Sequence, residues 1–485
     1  MVEKELWDLI EQIQARGCEE QTTEVKSAHG GCPEKLYDTI SAFSNQNSGG
    51  VFVFGLDEKT NFSKVGVYNA QELQKKVMEY CEHMTPIVRP VFTVCDEDGL
   101  VFVSAEIPPI DLAERPCFKT AKGRLQGSYI RVGDADKPMT EYEVYSYEAF
   151  RKKYRDDIRA VDNASFKLLD MAKVEAYLTR KRNERPNLAI LPIEQQYELA
   201  GITRDGMITI TALLLFGLYP QAFYPQLSII AASVPGKEIG ALDSAGNRFL
   251  DSRRIEGTLP DMLDGALCFV RTNMRTATRI DSETGERMDV PQYPMAAVRE
   301  AVLNALIHRD YSFHTEGMPI QLTLYADRME ITNPGGLYGR LTVDQLGQAQ
   351  PDTRNPVLVT VMETLGKTEN RYSGIPTIRS AMKNSDLPAP VFLDTRGTFK
   401  VVLYNQGASD GKTGTGKSTA LHDEKGLLAF CRTPRTRAEI IAYLSIASGQ
   451  YALRRYLDPL LRAGVIRMTK PETPRSKDQQ YITIE

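Results

Sequence analysis

Residues 294–311, with the sequence PMAAVREAVLNALIHRDY, constrain the fold most, because they combine an apolar helical face with a regularly spaced polar face. The apolar residues fall on one side of the predicted helix: Val298, Val302, Ala305 and Leu306. Glu300, Asn304 and His308 are each four residues apart and form the opposite stripe. A carboxylate that orients a water, one turn from an amide oxygen that can bind Mg²⁺, suits a nucleotide phosphate site. A solvated helix face is the alternative for an isolated E-x-x-x-N, and we expect His308 to pack against a neighbouring strand.

The segments that follow this helix predict a nucleotide-binding fold. Residues 320–331 are typical of two short strands around a polar turn, and the glycine turn NPGGL follows at residues 333–337. RNP comes at residues 354–356, and in ENRYSGIPTI, residues 369–378, a Ser-Gly turn opens another helical pattern. This series resembles the GHKL nucleotide-binding fold, in the divergent branch found at the C-terminal end of RecG-like bacterial proteins.

The resemblance implies ATP and Mg²⁺ as cofactors and assigns roles to individual residues. Glu300 would polarise the attacking water, and Asn304 would hold Mg²⁺. The remaining cofactor-binding residues would border the adenine (Asn333, Gly335 and Gly336) or approach the phosphates (Ser373 and Gly374). Catalytic members of the wider fold carry an aspartate where this chain has Asn333, and Pro334 stiffens the loop here. We therefore expect nucleotide binding and leave open whether the protein is a weak ATPase.

The amino-terminal third has a separate signature. It begins with EEQTTEVKSA at residues 19–28 and reaches a short apolar run at residues 51–56 that suits a buried strand. Between them, apolar residues recur at helical spacing at Leu36, Ile40 and Phe43. Together with GSYIRVGDADKPMTEYE at residues 127–143, this pattern resembles the Schlafen/AlbA-like domain.

Nuclease members of the Schlafen family hold a metal with two glutamates and an aspartate and cut structured RNA. The matching residues here are Glu19, Glu24 and Asp57, with Lys26 close to the second glutamate. Three carboxylates that converge on one point repel each other unless a divalent cation neutralises them. The alternative is that Glu24 and Lys26 form a surface ion pair and that Asp57 caps a turn.

Composition favours a cytoplasmic protein of several domains. A chain of 485 residues predicts roughly three domains. No run approaches the roughly 18 apolar residues that a membrane span needs, and the start MVEKELWDLIEQIQ carries acids where a secretory signal is basic. The seven cysteines are scattered and lack a C-x-x-C pair, which argues against a disulfide framework or a zinc site.

The carboxyl-terminal residues 425–485 are basic, with eleven Lys or Arg against five Asp or Glu, although the whole chain has a net charge of −4. Three helical patterns and two strand patterns around a loop at residues 470–478 predict a winged helix. Its nucleic-acid-binding residues would be Gln450, Tyr451, Arg454 and Arg455 in the major groove, and Arg475 and Lys477 on the phosphates. A winged helix that binds protein, with its charges solvated, is the alternative.

Two other segments complete the chain. GKTGTGKS at residues 411–418 matches the phosphate-loop pattern, but neither a directly preceding strand nor a packed helix accompanies it, so we interpret it as a linker. In the middle of the chain we predict a helix over residues 251–275.

We therefore predict an α+β multidomain protein. Its parts are a Schlafen/AlbA-like α/β domain (1–150), a connector (151–290), a GHKL-like α/β sandwich (291–405), a linker (406–424) and a winged helix (425–485). The predicted function is a homo-oligomeric nucleic-acid-binding regulator of transcription, with DNA favoured over RNA, whose ATP–Mg module modulates binding. It is not a helicase, because no paired motor domains are present. The alternative is a metal-dependent Schlafen-type endoribonuclease in phage defence.

Overall fold

The structure, a computed structural model, describes most of the chain. Described are residues 1–280, 287–350, 352–366, 373–395 and 397–405, and then 427–428, 430–437, 439–440, 457, 460–461, 464–470 and 479–483. They form two compact units, one made of Met1–Met139 with Thr413–Glu485 and the other of Thr140–Lys412. Helices and mixed sheets occur in both units, which confirms the predicted α+β multidomain class.

The amino-terminal part of the first unit is built on a four-stranded sheet. Its helices are α1 (Glu3–Arg16), α2 (Tyr37–Ser44), α3 (Ala70–Glu82) and α4 (Gly123–Gly127). Its strands are β1 (Thr23–Lys26), β2 (Gly50–Phe54), β3 (Leu56–Asp57), β4 (Ser63–Lys64), β5 (Met84–Thr85), β6 (Val91–Glu97), β7 (Leu100–Ile107), β8 (Phe118–Lys119), β9 (Tyr129–Val132) and β10 (Ala135–Pro138). The sheet order is β1-β2-β7-β6, with β1 parallel to β2 and β7 antiparallel to both of its neighbours.

The predicted helix and strand of this part follow from their apolar spacing. Leu36, Ile40 and Phe43 are all fully buried, so the helical stripe faces the core. At Gly50 a Cβ atom would lie 2.3 Å from the ring of Phe43, and Gly49 has a φ of +66°. Glycine is therefore required where α2 gives way to β2.

The second unit contains a six-stranded sheet with helices packed on it. Its helices are α5 (Glu141–Lys152), α6 (Met171–Glu184), α7 (Ile193–Leu199), α8 (Ile210–Phe216), α9 (Leu259–Asn273), α10 (Met295–His308), α11 (Pro356–Thr364) and α12 (Gly374–Asn384). Its strands are β11 (Thr203–Arg204), β12 (Met207–Ile208), β13 (Ile229–Ser233), β14 (Asp251–Ile255), β15 (Thr276–Ile280), β16 (Arg287–Pro291), β17 (Ile320–Leu324), β18 (Arg328–Pro334), β19 (Val391–Thr395) and β20 (Thr398–Tyr404). The sheet order is β14-β13-β17-β18-β20-β19.

The predicted connector and the predicted nucleotide fold share this sheet. Strand β13 pairs in parallel with β17, with Ile229 opposite Ile320, and a single apolar core spans both regions. The second unit also starts earlier than the predicted boundary at residue 150. Helix α5 belongs to it because the hydroxyl of Tyr142 donates a hydrogen bond to Asp310.

The helix predicted over residues 251–275 is wrong at its start. Residues Asp251–Ile255 form strand β14, and α9 begins only at Leu259. Gly257 has a φ of +110°, and the side chains and backbone amides of Thr258 and Asp261 form a capping box. These residues fix the start of the helix, and the apolar periodicity did not distinguish the strand before it.

The carboxyl-terminal residues form a small sheet around an apolar cluster. Strand β21 (Arg435–Thr436) pairs with β23 (Gln480–Thr483), which also pairs with β22 (Ile466–Met468), all antiparallel. The predicted pairing of the last two strands is therefore present. The predicted nucleic-acid-binding residues Gln450, Tyr451, Arg454, Arg455, Arg475 and Lys477 lie outside the described residues, as does the segment 411–418.

Within the described ranges, none of the helices combines the length and the apolar character that crossing a membrane demands.

Candidate functional site

A cavity in the second unit brings together residues that the sequence predicted for a cofactor. It holds about 1500 Å³ of empty space, part of it open to solvent, and it lies between α10, α12 and the strands β18 and β20. Its wall includes all seven predicted residues of this domain: Glu300, Asn304, Asn333, Gly335, Gly336, Ser373 and Gly374. Segments that are distant in sequence therefore meet in one site.

Helix α10 supplies one wall; apolar residues are buried on most of its sides, and the predicted polar stripe lies on the cavity side. The apolar residues of the predicted stripe are buried: Val298, Val302, Ala305 and Leu306. Glu300 and Asn304 are half-buried and line the cavity. The spacing of four residues thus places a carboxylate and an amide side by side on the cavity face.

The start of helix α12 lies against these two side chains. A Cβ atom at Gly374 would be 2.9 Å from Nδ2 of Asn304 and 3.3 Å from Oε2 of Glu300. The first backbone N–H groups of a helix lack acceptors within the helix, and the helix dipole favours an anion there. With an amide oxygen that suits Mg²⁺ beside it, this end of the cavity fits a phosphate group.

Asn333 marks a different part of the cavity. It lies near the end of β18 and is 5% exposed, and its Oδ1 has no hydrogen-bond partner among the described residues. Apolar side chains of Ile331, Phe399 and Val401 line the same cavity. A buried acceptor without a partner costs about 1–3 kcal/mol, which a ligand with an N–H donor would recover. This part of the cavity therefore suits a planar base with an amino group.

His308 lines the cavity, whereas the sequence favoured packing against a strand. Its side chain is accessible to solvent through the cavity, but protein atoms surround the imidazole on its other sides. Desolvation by these atoms and the positive charge of Arg354 lower the pKa of His308 to about 4. The imidazole is therefore neutral at physiological pH and can donate or accept a hydrogen bond.

A buried ion pair that the sequence did not predict supports the glycine turn. The guanidinium of Arg354 donates to Oδ2 of Asp310, and its Nη2 donates to the carbonyl oxygen of Gly336 at 3.2 Å. Tyr142 donates to the same Asp310 oxygen at 2.8 Å, and the backbone N–H of Ser312 donates to Oδ1 at 2.8 Å. Burial opposes ionisation, but Arg354 and these hydrogen bonds outweigh it and hold the pKa of Asp310 below its ordinary value.

Asn355, the second residue of the RNP motif, fixes the end of helix α10. Its Nδ2 donates to the carbonyl oxygens of Ile307 and Arg309, at 2.8 Å each. The motif was visible in the sequence, but its contacts with the helix end were not. RNP is therefore a structural signature of the cavity wall.

The three predicted acidic residues of the first unit make different contacts. Glu24 pairs with Lys26 and with Arg131, whose Nη2 lies 2.7 Å from Oε2 of Glu24. Glu19 accepts a hydrogen bond from the backbone of Val25 at 2.8 Å. Asp57 accepts from the backbone of Lys59 at 3.1 Å and caps a short 3-10 turn. The pair of Glu24 with Lys26 and the turn capped by Asp57 are the contacts of the alternative interpretation, except that Glu24 is buried and not at the surface.

Arg131 supplies the charge that balances this acidic cluster. It is 4% exposed, lies 3.9 Å from Glu19 and also pairs with Asp136 at 3.0 Å. Burial and the neighbouring Glu24 raise the pKa of Glu19 to about 7. Across the described ranges, no three His, Cys, Asp or Glu side chains are grouped as a metal site requires. The contacts therefore give no support to the predicted metal trio.

Comparison with protein families identifies the domains. Residues 19–140 match SLFN_AlbA_2, "Schlafen, AlbA_2", and residues 317–403 match HATPase_c_4, "Putative ATP-dependent DNA helicase recG C-terminal". Residues 425–483 match Fic-like_C, "Filamentation induced by cAMP protein Fic-like, C-terminal domain". The chain thus carries a Schlafen/AlbA_2 domain and an ATPase-like domain of the RecG C-terminal kind. Glu300 and Asn304 lie before the matched region of the second domain.

Solved structures add little to these matches. The match with the DIP2311 protein from Corynebacterium diphtheriae covers 99% of this chain and 99% of that protein, with 15% identity and a TM-score of 0.39. The N-terminal domain of a RecG-related protein from Nitrosomonas europaea covers 28% of this chain and 93% of its own, with 24% identity and a TM-score of 0.23. No curated protein matches the chain. The domain families together suggest a nucleic-acid-associated ATP-binding protein.

Proposed function

We propose that the cavity of the second unit binds ATP together with Mg²⁺. Asn333, with Gly335 and Gly336, would border the adenine, and Ser373 and Gly374 would approach the phosphates. Asn304 would hold Mg²⁺, which neutralises phosphate charge when bound, and Glu300 would orient a water toward the last phosphate.

One observation carries this proposal. The wall of one cavity includes the buried Oδ1 of Asn333, which has no hydrogen-bond partner among the described residues, and elsewhere the start of α12 beside Asn304. The Asn333 oxygen suits an N–H donor in apolar surroundings. The helix start beside Asn304 suits an anion together with a hard cation. A nucleoside triphosphate with Mg²⁺ supplies both in one molecule.

Calorimetric titration with ATP tests the proposal, with and without Mg²⁺. In Asn333→Leu a side chain of similar volume replaces the acceptor, and we expect about tenfold weaker ATP binding. Asn333→Asp is the matched control, because a carboxylate keeps the acceptor and should keep the affinity. Wild-type protein that binds no ATP under either condition would overturn the proposal.

We further propose that ATP changes how the terminal domains hold nucleic acid, as in a cytoplasmic transcriptional regulator that binds DNA rather than RNA. The strand order β21-β23-β22 with its antiparallel pairing supports a winged helix at the carboxyl end. The excess of basic residues in 425–485 suits phosphate contacts. Binding of a labelled DNA duplex, measured at fixed salt with and without ATP, should differ at least severalfold. Equal affinity in both conditions would exclude the coupling.

The second candidate is a metal-dependent Schlafen-type endoribonuclease that acts through Glu19, Glu24 and Asp57. One observation favours it: the carboxylates of Glu19 and Glu24 converge on one cationic group, since Nη2 of Arg131 lies 3.9 Å from Glu19 and 2.7 Å from Glu24. Arg131 already supplies a positive charge there, so we rank this function second. Cleavage of tRNA with Mn²⁺ that disappears in Glu24→Gln would reverse that ranking.

A further inference from the structure

Helix α5 packs against the loop that follows β18, and this loop forms part of the cavity wall. In the first turn of α5, Tyr142 donates to Oδ2 of Asp310 at 2.8 Å. Arg354 donates to the same oxygen and also to the carbonyl of Gly336 at 3.2 Å. One carboxylate oxygen therefore joins α5 to the glycine turn.

The last turn of α5 makes a second set of contacts with the same loop. The rings of Phe150 and Tyr338 meet edge to face, with centroids 5.5 Å apart. The hydroxyl of Tyr338 donates to the carbonyl of Ala149 at 3.5 Å, and the guanidinium of Arg354 lies 4.9 Å from the Tyr338 ring centroid. Both Tyr338 and Arg354 line the cavity, so α5 touches the side chains that a ligand would meet.

Close packing leaves little room for independent movement of these parts. A Cβ atom at Gly335 would lie 2.7 Å from Cβ of Asp310, and one at Gly397 would lie 3.0 Å from Cε1 of Tyr142. The backbone N–H of Gly335 donates to the carbonyl of Gly397 at 2.8 Å. A displacement of the glycine turn is therefore passed on to Tyr142, because packed interiors yield little.

We propose that Tyr142 is a positioning residue for the nucleotide and that α5 senses whether the cavity is occupied. This proposal rests on the proposed nucleotide function, because the signal begins with a ligand that contacts Arg354 and Tyr338 in the cavity. Tyr142 acts through Asp310 and Arg354 and need not touch the ligand. In sequence, α5 begins two residues after Met139, next to the end of the Schlafen/AlbA_2 match at residue 140. A change in α5 on nucleotide binding would thus occur in the segment that directly follows the Schlafen/AlbA_2 domain in sequence.

Hydrogen exchange in the full-length wild-type protein tests whether α5 senses the nucleotide. ATP with Mg²⁺ should slow amide exchange in residues 141–152 as well as in the loop 333–341. Slower exchange in the loop with no change in α5 would overturn the inference and leave nucleotide binding intact. Absence of ATP binding by calorimetry would instead overturn the proposed function.

Two tyrosines on the same helix provide a matched pair of variants. Tyr145 donates to Asp156 at 2.7 Å, so Tyr145→Phe removes a comparable hydrogen bond that is not made to Asp310 or Arg354, although the charges of both reach Asp156. We expect Tyr142→Phe to weaken ATP binding about five- to thirtyfold and to abolish the change in α5 exchange, while Tyr145→Phe preserves both. Equal effects of the two variants would mean a merely structural role and contradict the proposal. Should Tyr142→Phe fail to fold, the wild-type exchange experiment still decides.

Discussion

The acidic cluster of the first unit and the cavity of the second use similar residues in opposite ways. In the cluster, Arg131 lies within ion-pair distance of both Glu19 and Glu24, so the protein supplies its own cation. In the cavity, the buried Oδ1 of Asn333 has no partner among the described residues. Oε2 of Glu24 also lacks a hydrogen bond, but it lies 2.7 Å from the guanidinium of Arg131. The comparison teaches that an unpartnered buried atom indicates a ligand when no opposite charge of the protein already lies beside it.

The largest expected effect comes from removing Arg131, the cation of the acidic cluster. Arg131→Ala leaves Glu24 and Asp136 without their buried partner, which should lower the free energy of unfolding by about 3–5 kcal/mol. Trp7 is the only tryptophan of the chain and packs on Phe102, so its fluorescence during denaturation reports on the first unit. Lys26→Ala is the control and should cost about 1 kcal/mol or less. Equal losses in both variants would contradict the central role given to Arg131.

The next largest effect concerns ligand binding in the cavity of the second unit. In Gly374→Ala the new methyl group meets Asn304 and Glu300, and displacing these side chains should weaken ATP binding about ten- to hundredfold. Gly317→Ala is a matched control, since a Cβ atom there meets nothing within 4 Å. Titration of both variants with ATP and Mg²⁺ measures the difference. Unchanged binding by Gly374→Ala would place the phosphates elsewhere.

A smaller effect concerns the pH dependence of the first unit. The pKa of Glu19 is about 7 in the folded protein and about 4.5 in the unfolded chain, so the folded state holds the proton more tightly. Stability should therefore fall as the pH rises through this window, by at most about 3 kcal/mol. Glu19→Gln should remove that slope in Trp7-monitored denaturation between about pH 5 and about pH 8. A variant whose slope equals that of the wild type would refute the raised pKa.

The smallest effect separates a turn cap from a metal ligand. Asp57→Ala removes the acceptor for the backbone N–H of Lys59 and should cost about 0.5–1 kcal/mol, without changing any Mn²⁺-dependent property. Binding of Mn²⁺ to the wild type that vanishes in this variant would show that Asp57 serves a metal.

Sequence reasoning found the parts of the site that local periodicity encodes. The polar stripe of α10 follows from its four-residue spacing, and the start of α12 at Gly374 follows from the Ser-Gly turn at residues 373–374. The structure has both. The partners that decide their roles are distant in sequence: Arg131 for the acidic cluster, and Tyr142 and Arg354 for the glycine turn. No period or turn signal links such residues, since only tertiary packing brings them together.

The domain plan was limited by the same cause. The sequence pattern predicted the strands at residues 320–331, but their pairing with Ile229–Ser233 depends on the complete sheet. The family resemblance therefore placed a boundary between a connector and a nucleotide fold. In the structure, the two regions share one sheet and one apolar core.

The parallel pairing of β13 with β17 has a practical consequence for anyone who shortens this protein. A fragment limited to residues 317–403 would keep β17 but expose its whole edge, since its neighbour at Ile229–Ser233 would be missing. Such a bare, apolar edge recruits further strands from other molecules, and insoluble material is the expected product. The segment that matches the family, residues 317–403, is thus shorter than the segment that completes the sheet.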